Sequence, residues 1–182
     1  MSLQIFILGL LSNHDYHPYD VKKKIIRDTR NMVNVTDGNL YYNFEALLKK
    51  GMIKKSQVIQ SDNRPDKITY SITPKGQDTL KEEIYKTFRN AKSIKSLIVA
   101  LPFVEKVDIN KLIFYVEEVI ERFSKRLVEI EEYAITADSD SNIQQYRLLM
   151  REFSYENMNL EIKMFNKLLL LLKSQKREDE EK

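Results

Sequence analysis

The residues best suited to chemistry are four polar and aromatic side chains near the start of a short helical segment. They are Asn39, Tyr41, Tyr42 and Asn43, within the run 35–53. Asn amides both donate and accept hydrogen bonds, as the base edges of the DNA major groove require. Tyr hydroxyls donate to phosphates, and their rings pack on thymine methyl groups. The pattern favours a helix that contacts DNA, although a core position with a satisfied hydroxyl is an alternative for Tyr41.

Residue types that support catalysis or metal binding give a weaker pattern. His14 and His17 are the two histidines, and with Asp15 or Asp20 their spacing would allow a metal site. We favour ordinary turn residues at these positions. The sequence has no cysteine, no phosphate-binding loop and no nucleophile motif. We therefore expect a protein that is not an enzyme and has no metal and no cofactor.

The segment that carries the four side chains has clear helix boundaries. Thr36 or Asp37 is suited to cap its start by accepting backbone N–H groups. Gly51 is suited to end it, because glycine adopts positive φ without strain. Three- and four-residue spacing predicts a buried stripe made of Leu40, Phe44, Leu47 and Leu48. Asn39, Tyr42 and Asn43 fall off that stripe and are predicted to be exposed.

The neighbouring segments complete a recognisable order of elements. Residues 3–11 form an apolar helical run, and Pro18 suits the first position of a second helix that ends near residue 28. Strands are predicted over 53–60 and 67–73, with turn residues at 61–66 between them. Three helices followed by a two-stranded wing are typical of the winged helix-turn-helix. The predicted fold class is mainly α with a small β-wing.

Charge is distributed unevenly between the two parts of the chain. Residues 1–80, predicted to be the DNA-binding domain, hold 12 Lys and Arg against 8 Asp and Glu. Residues 81–182 hold 18 against 19. A basic surface binds phosphates, although a solvated helix face would have the same composition. Arg64, near the tip of the wing, is suited to enter the minor groove. The candidate DNA-contacting residues are Tyr19, Lys22, Thr36, Asn39, Tyr41, Tyr42, Asn43, Arg64 and Lys67.

Residues 81–182 are predicted to be an α-helical dimerisation domain. Asp108 is suited to cap a long helix, residues 136–142 form a polar loop, and a second long helix follows. Its predicted core positions are Ile143, Tyr146, Met150, Phe153, Leu160, Met164 and Leu168. An intrachain hairpin would cover one face of the apolar run 168–172 and leave the other in water. The predicted dimer contacts are Phe123, Leu127, Phe153, Leu160, Met164, Leu168, Leu171 and Leu172. The charged segment 173–182 is expected to be frayed.

Several short motifs resemble the PadR family of transcriptional regulators. They are His-Pro-Tyr-Asp-Val at 17–21, Gly-Asn-Leu-Tyr at 38–41, Leu-Leu-Lys-Lys-Gly-Met-Ile at 47–53 and Tyr-Ser-Ile-Thr-Pro-Lys-Gly at 70–76. Pro18 stands where the family usually has Gly. The back part is similar to the helical dimerisation region of the longer, virulence-activator-like members. The resemblance implies a dimeric DNA-binding regulator, most often a repressor.

The partners expected from the sequence are double-stranded DNA and a second copy of the chain. No apolar run approaches the ~20 residues of a membrane span, so we expect a cytoplasmic protein without membrane contact. The sequence also allows a small-molecule effector to bind near Phe103, Phe114 and Tyr115. The alternative is that these three residues belong to the ordinary core. The alternative function is a helical scaffold whose winged-helix domain binds protein instead of DNA.

Overall fold

A computed structural model describes residues 2–61, 64–136 and 143–180 of the chain. The described elements, in chain order, are α1 (Ser2–Leu11), α2 (Pro18–Asp28), α3 (Asp37–Lys49), β1 (Ile53–Ser61), β2 (Arg64–Ile72), α4 (Pro74–Arg89), two 3₁₀ helices (Ile94–Leu97 and Leu101–Lys106), α5 (Ile109–Thr136) and α6 (Gln144–Glu180). This order confirms the predicted fold class of a mainly helical chain with a small β-wing.

The chain divides into two compact units. The first contains residues 1–87 and 97–107, and the second contains residues 88–96 and 108–182. This division differs from the boundary predicted between residues 80 and 81, because residues 81–87 and 97–107 both pack into the first unit. The Phe103 ring meets the Phe6 ring edge-on with centroids 5.5 Å apart. It also lies against Gly9, where any side chain would collide with the ring.

Helix α1 is at the centre of the first unit. It is apolar on most sides, and Phe6, Ile7 and Leu8 are fully or almost fully buried. A helix with apolar residues all round is stable only inside a core. α1 contacts α2, α3 and β2. Burial of a side chain such as Phe6 stabilises the fold by roughly 1.5–3 kcal/mol.

A buried threonine holds the turn between α2 and α3. Thr29 donates its hydroxyl to the Ile25 carbonyl oxygen at 2.7 Å and accepts from the Val33 N–H at 3.4 Å. Arg30 and Asn31 then adopt φ of +47° and +62°. Asn tolerates this left-handed conformation better than most residues with a side chain. The turn sets the direction in which α3 begins.

The wing is a two-stranded antiparallel hairpin. Tyr16 and Tyr70 exchange backbone hydrogen bonds of 3.2 and 3.0 Å, which tie the hairpin to the loop after α1. The predicted turn at 61–66 is too long, because β2 begins at Arg64, which pairs with Ser61. Proline at residue 65 is tolerated because a two-stranded hairpin has only edge strands. Residues 62–63, at the tip, lie outside the described part of the chain.

In the second unit, α5 and α6 pack against each other. The buried α5 residues are Leu112, Val116, Val119 and Phe123, and the buried α6 residues are Met158, Phe165, Leu168 and Leu172. The Phe123 and Phe165 rings meet edge-on at 5.4 Å. Lys173 Nζ forms an ion pair of 2.7 Å with Glu117. The prediction that residues 173–182 are frayed is wrong as far as Glu180, where the described helix ends.

The predicted core positions of α6 are largely wrong. Ile143, Tyr146, Met150, Phe153 and Leu160 are all exposed. The buried stripe follows another phase of the same helix, since α6 has apolar residues on two faces. Helical periodicity detects both faces but does not say which one meets α5.

The leucine run of α6 has one face in the core and another in water, as predicted. Leu168 and Leu172 are buried, whereas Leu170 and Leu171 are 66% and 68% exposed. Among the helices of the described residues, none is long and apolar enough to cross a membrane.

Candidate nucleic-acid interface

The start of α3 is fixed by a side-chain cap. Thr36 has an extended backbone, and its hydroxyl oxygen accepts a hydrogen bond from the Asn39 N–H at 3.2 Å. Such a cap stabilises a helix by about 1 kcal/mol. The predicted cap is confirmed. The same hydroxyl was predicted to contact DNA, and that role stays a prediction.

One face of α3 packs into the first unit, as the stripe predicted. Leu40, Phe44 and Leu47 are buried, and the Phe44 ring meets the Tyr70 ring with centroids 5.1 Å apart. Burial, followed by the proximity of Tyr41 and Glu45, raises the pKa of Tyr70. Tyr70 is therefore a neutral phenol that holds α3 against the wing.

The opposite side of α3 presents polar and aromatic groups to solvent. Asn39 is exposed, Tyr41 is 47% exposed and Tyr42 is 70% exposed. The core alternative for Tyr41 is therefore wrong. Tyr19, on α2, is 51% exposed and carries Lys23 Nζ 4.5 Å from its ring centroid. These exposed side chains provide hydrogen-bond donors, hydrogen-bond acceptors and flat apolar surfaces, which a ligand could reach without a change in the backbone.

Asn43 does not lie on this exposed surface. Its side chain is buried, and Nδ2 donates to the Asn39 carbonyl oxygen at 2.7 Å and to Asn39 Oδ1 at 2.8 Å. The prediction that Asn43 is exposed beside Asn39 and Tyr42 is wrong. The side chain is short enough to fold back onto the preceding turn, which satisfies its buried amide nitrogen.

Lys22 is held in an ion pair at the start of α3. Its Nζ lies 2.7 Å from Asp37 Oδ1, and the two side chains are 22% and 70% exposed. An exposed pair of this kind contributes about 0–1 kcal/mol. Because the ion pair contributes so little free energy, a phosphate could replace Asp37 as the partner of Lys22.

The remaining candidates are positioned only through their backbone or through neighbouring residues. Arg64 pairs with Ser61 and Lys67 pairs with Ile59 across the hairpin. The side chains of Arg64 and Lys67 lie outside the described residues. Asp15, considered above only beside the histidines, accepts a hydrogen bond from the Ser56 hydroxyl on β1.

The loop before α2 has a structural role, because it caps that helix. His17 Nδ1 accepts from the Tyr19 N–H at 3.2 Å, and Pro18 occupies the first position of the helix. This arrangement supports the interpretation of His17 as a turn residue. Among the described residues, no group of three or more His, Cys, Asp or Glu is arranged for a metal ion.

Together, these features define a class of protein. A three-helix unit with a β-wing, whose third helix buries an apolar face and exposes an amide and two phenols, has the winged helix-turn-helix fold. Residues 7–82 match the family model described as the transcriptional regulator PadR-like family. This match confirms the resemblance over residues 7–82, which are fewer than half of the residues of the chain.

Solved structures include several similar chains. A transcriptional regulator from Clostridium thermocellum is 27% identical, with coverage of 46% of this chain and 78% of that chain and a TM-score of 0.43. Bacillus subtilis PadR in complex with operator DNA is 16% identical, with coverage of 94% and 99% and a TM-score of 0.46. The same protein in complex with p-coumaric acid is 15% identical, with coverage of 95% and 99% and a TM-score of 0.42.

TM-scores below 0.5 do not establish a common arrangement of whole chains, so the resemblance to the family rests on residues 7–82. None of the curated proteins matches the chain.

Proposed function

We propose that this protein is a homodimeric repressor that inserts the α3 helix of each protomer into the major groove of a palindromic operator. The supporting observation is the division of α3 into two faces. Leu40, Phe44 and Leu47 anchor one face, and Asn39 and Tyr42 are exposed on the other. A helix held rigidly from behind positions its outer side chains for contact with base edges.

The contacts divide into two groups under this proposal. Asn39, Tyr41 and Tyr42 would face bases, with Asn39 as the hydrogen-bonding group. Tyr19, Lys22, Thr36, Arg64 and Lys67 would contact phosphates or the minor groove. Phosphate contacts provide affinity without sequence preference, whereas base-edge contacts provide the preference. Residues 1–80 would then bind DNA, and residues 81–182 would dimerise.

The dimer would form through the outer face of α6. This face contains Tyr146, Met150, Phe153, Leu160 and Leu171, all of them exposed in the single chain. Burial of apolar surface between protomers stabilises association by about 25 cal/mol per Å². Phe123, Leu168 and Leu172, also predicted as dimer contacts, are buried within their own chain and would support the interface from behind.

Repression would be steric, since a dimer that covers a promoter excludes other proteins from it. Two recognition helices related by twofold symmetry match half-sites about 34 Å apart. A small-molecule effector would act by changing the separation of the two helices. Bacillus subtilis PadR is described in complex with p-coumaric acid, which motivates this part of the proposal. Phe103 is excluded from such a site by its burial against Phe6.

The proposed function is tested by selection on random duplexes with the full chain, followed by salt titration of the selected site. We expect a palindromic site, and a plot of log affinity against log salt with a slope near −0.9 per phosphate contact. With roughly 6–10 contacts, affinity should fall by about 10³–10⁵ between 50 and 200 mM salt. A duplex of the same length and scrambled sequence is the control.

The same experiment separates DNA binding from the scaffold alternative. Failure to enrich any sequence, together with weak binding that ignores salt, would remove the DNA hypothesis and favour a protein partner for the winged-helix unit.

Asp37→Asn is expected to strengthen operator binding about fivefold at 0.15 M salt, the gain from one additional phosphate contact. The substitution removes the carboxylate that holds Lys22 at 2.7 Å and takes a negative charge from the start of α3. The slope of the salt plot should become steeper by about 0.9. Fluorescence anisotropy on a labelled operator measures both quantities.

Asp28→Asn is the matched control for this substitution. Asp28 Oδ1 lies 2.8 Å from Arg27 Nε. Loss of the Asp28 carboxylate changes the net charge by the same amount as Asp37→Asn, but at the C-terminal end of α2. Equal gains from the two variants would show that net charge, and not the position of Asp37, determines the affinity.

A further inference from the structure

The orientation of the Asn39 side-chain amide is fixed by its neighbours. A backbone carbonyl oxygen only accepts hydrogen bonds, so the Asn43 atom 2.7 Å from the Asn39 carbonyl is the amide nitrogen. The same nitrogen lies 2.8 Å from the Asn39 side chain, and the atom it meets must be the acceptor Oδ1. Both contacts therefore assign the same orientation.

This orientation determines which group Asn39 offers to a ligand. Its Oδ1 is held back along α3 by Asn43, and its Nδ2, with two N–H donors, is turned away from that contact. Asn43 is buried and donates both of its described hydrogen bonds to Asn39. The exposed end of the amide is therefore a donor.

The outward position of Nδ2 has a consequence for base recognition. Adenine presents an acceptor, N7, beside a donor, N6–H₂, and the usual Asn–adenine contact uses both the oxygen and the nitrogen of the amide. Guanine presents two acceptors, N7 and O6, at the same edge. An amide whose oxygen is turned back along the helix presents its two N–H groups outward. These groups match the two acceptors of guanine and meet the adenine amino group donor to donor.

We propose that Asn43 is a positioning residue that holds the Asn39 amide nitrogen outward, so that each recognition helix selects guanine over adenine at one base pair of its half-site. The inference rests on the proposed DNA-binding function and deepens it. Asn43 acts through Asn39 and itself remains covered by the helix.

The test is selection on random duplexes with the full chain and four variants. The wild type should enrich guanine over adenine roughly tenfold at one position per half-site, the scale of a good base contact. Asn39→Ala should remove the preference at that position only. Asn43→Ala should let the amide turn, and guanine and adenine should then be accepted about equally, with the salt slope unchanged.

Asn43→Asp provides a second variant with nearly the same shape. Its carboxylate only accepts, so it should take the N–H groups of Asn39 as its donors and leave Oδ1 outward. The preference should then move to bases with a major-groove amino group, adenine or cytosine. A purely structural role for Asn43 would weaken all sequences alike and would not move the preferred base.

Asn166→Ala is the matched control. Asn166 Nδ2 donates to the Ile162 carbonyl oxygen at 2.9 Å, the same bond four residues back but on α6. Thermal unfolding shows whether each variant is folded at the assay temperature, and base preference should be unchanged in this control. Adenine enrichment by the wild type, or full guanine preference in Asn43→Ala, overturns the inference. No sequence-specific binding by the wild type overturns the proposed function and this inference with it.

Discussion

Phe165→Ala is expected to lower the free energy of unfolding of the second unit by about 3–5 kcal/mol, the range for loss of a buried aromatic ring. The Phe165 side chain is fully buried, and its ring meets Phe123 edge-on at 5.4 Å. Deletion leaves a cavity between α5 and α6, because their backbones cannot close over it without disturbing neighbouring contacts. Denaturant unfolding followed by far-ultraviolet circular dichroism measures the loss.

Phe114→Ala is the matched control for the buried ring. This substitution also removes a phenyl ring, but from α5, where Phe114 is 56% exposed. We expect a change within about 0.5 kcal/mol, as for most surface substitutions. Similar losses from the two variants would contradict the packing of α5 against α6 described above.

Phe153→Lys is expected to convert the proposed dimer to a monomer and to weaken operator binding by about 10²–10⁴, the usual advantage of two linked binding modules. Phe153 is 64% exposed and lies among the apolar side chains of the outer face of α6. A lysine there would place a charge in the centre of the proposed interface. Sedimentation measures the oligomeric state, and a labelled operator measures the affinity.

The direction of this effect distinguishes the dimer from simple electrostatics. A new lysine should by itself increase attraction to DNA, so a loss of affinity requires loss of the second protomer. Gln144→Lys is the control, since Gln144 is exposed on α6 and helical spacing places it on another side of the helix from the apolar stripe. A dimer that survives Phe153→Lys would show that α6 associates through another face, or that another element dimerises.

The front part of the chain was predicted well because its patterns are local. Pro18, Thr36 and Gly51 mark helix boundaries through backbone chemistry that depends on a few neighbouring residues. The α3 stripe of Leu40, Phe44 and Leu47 was confirmed for the same reason. The predicted loop of the wing was too long. Residues 64–66 have turn propensity, but in the structure they belong to β2, where Arg64 pairs with Ser61.

The errors at Asn43 and on α6 have the same physical cause, since helical spacing does not say which groups a side chain contacts in the folded chain. The sequence by itself determined that both helices exist, where they begin and which positions repeat at helical spacing. It did not determine that Asn43 folds back onto Asn39, because that requires the amide to find two acceptors in three dimensions. It also did not choose between the two apolar faces of α6.

Only the tertiary structure decided that Phe165 meets α5 and that Phe153 faces solvent. The hydrophobic effect is non-directional and proportional to the buried area, so the sequence pattern does not say which apolar surface covers a given apolar face. In the folded chain, the Phe123 and Phe165 rings meet edge-on at 5.4 Å. Sequence thus determined the helices and strands of this protein and their amphipathic character, and packing determined which side chains remain exposed.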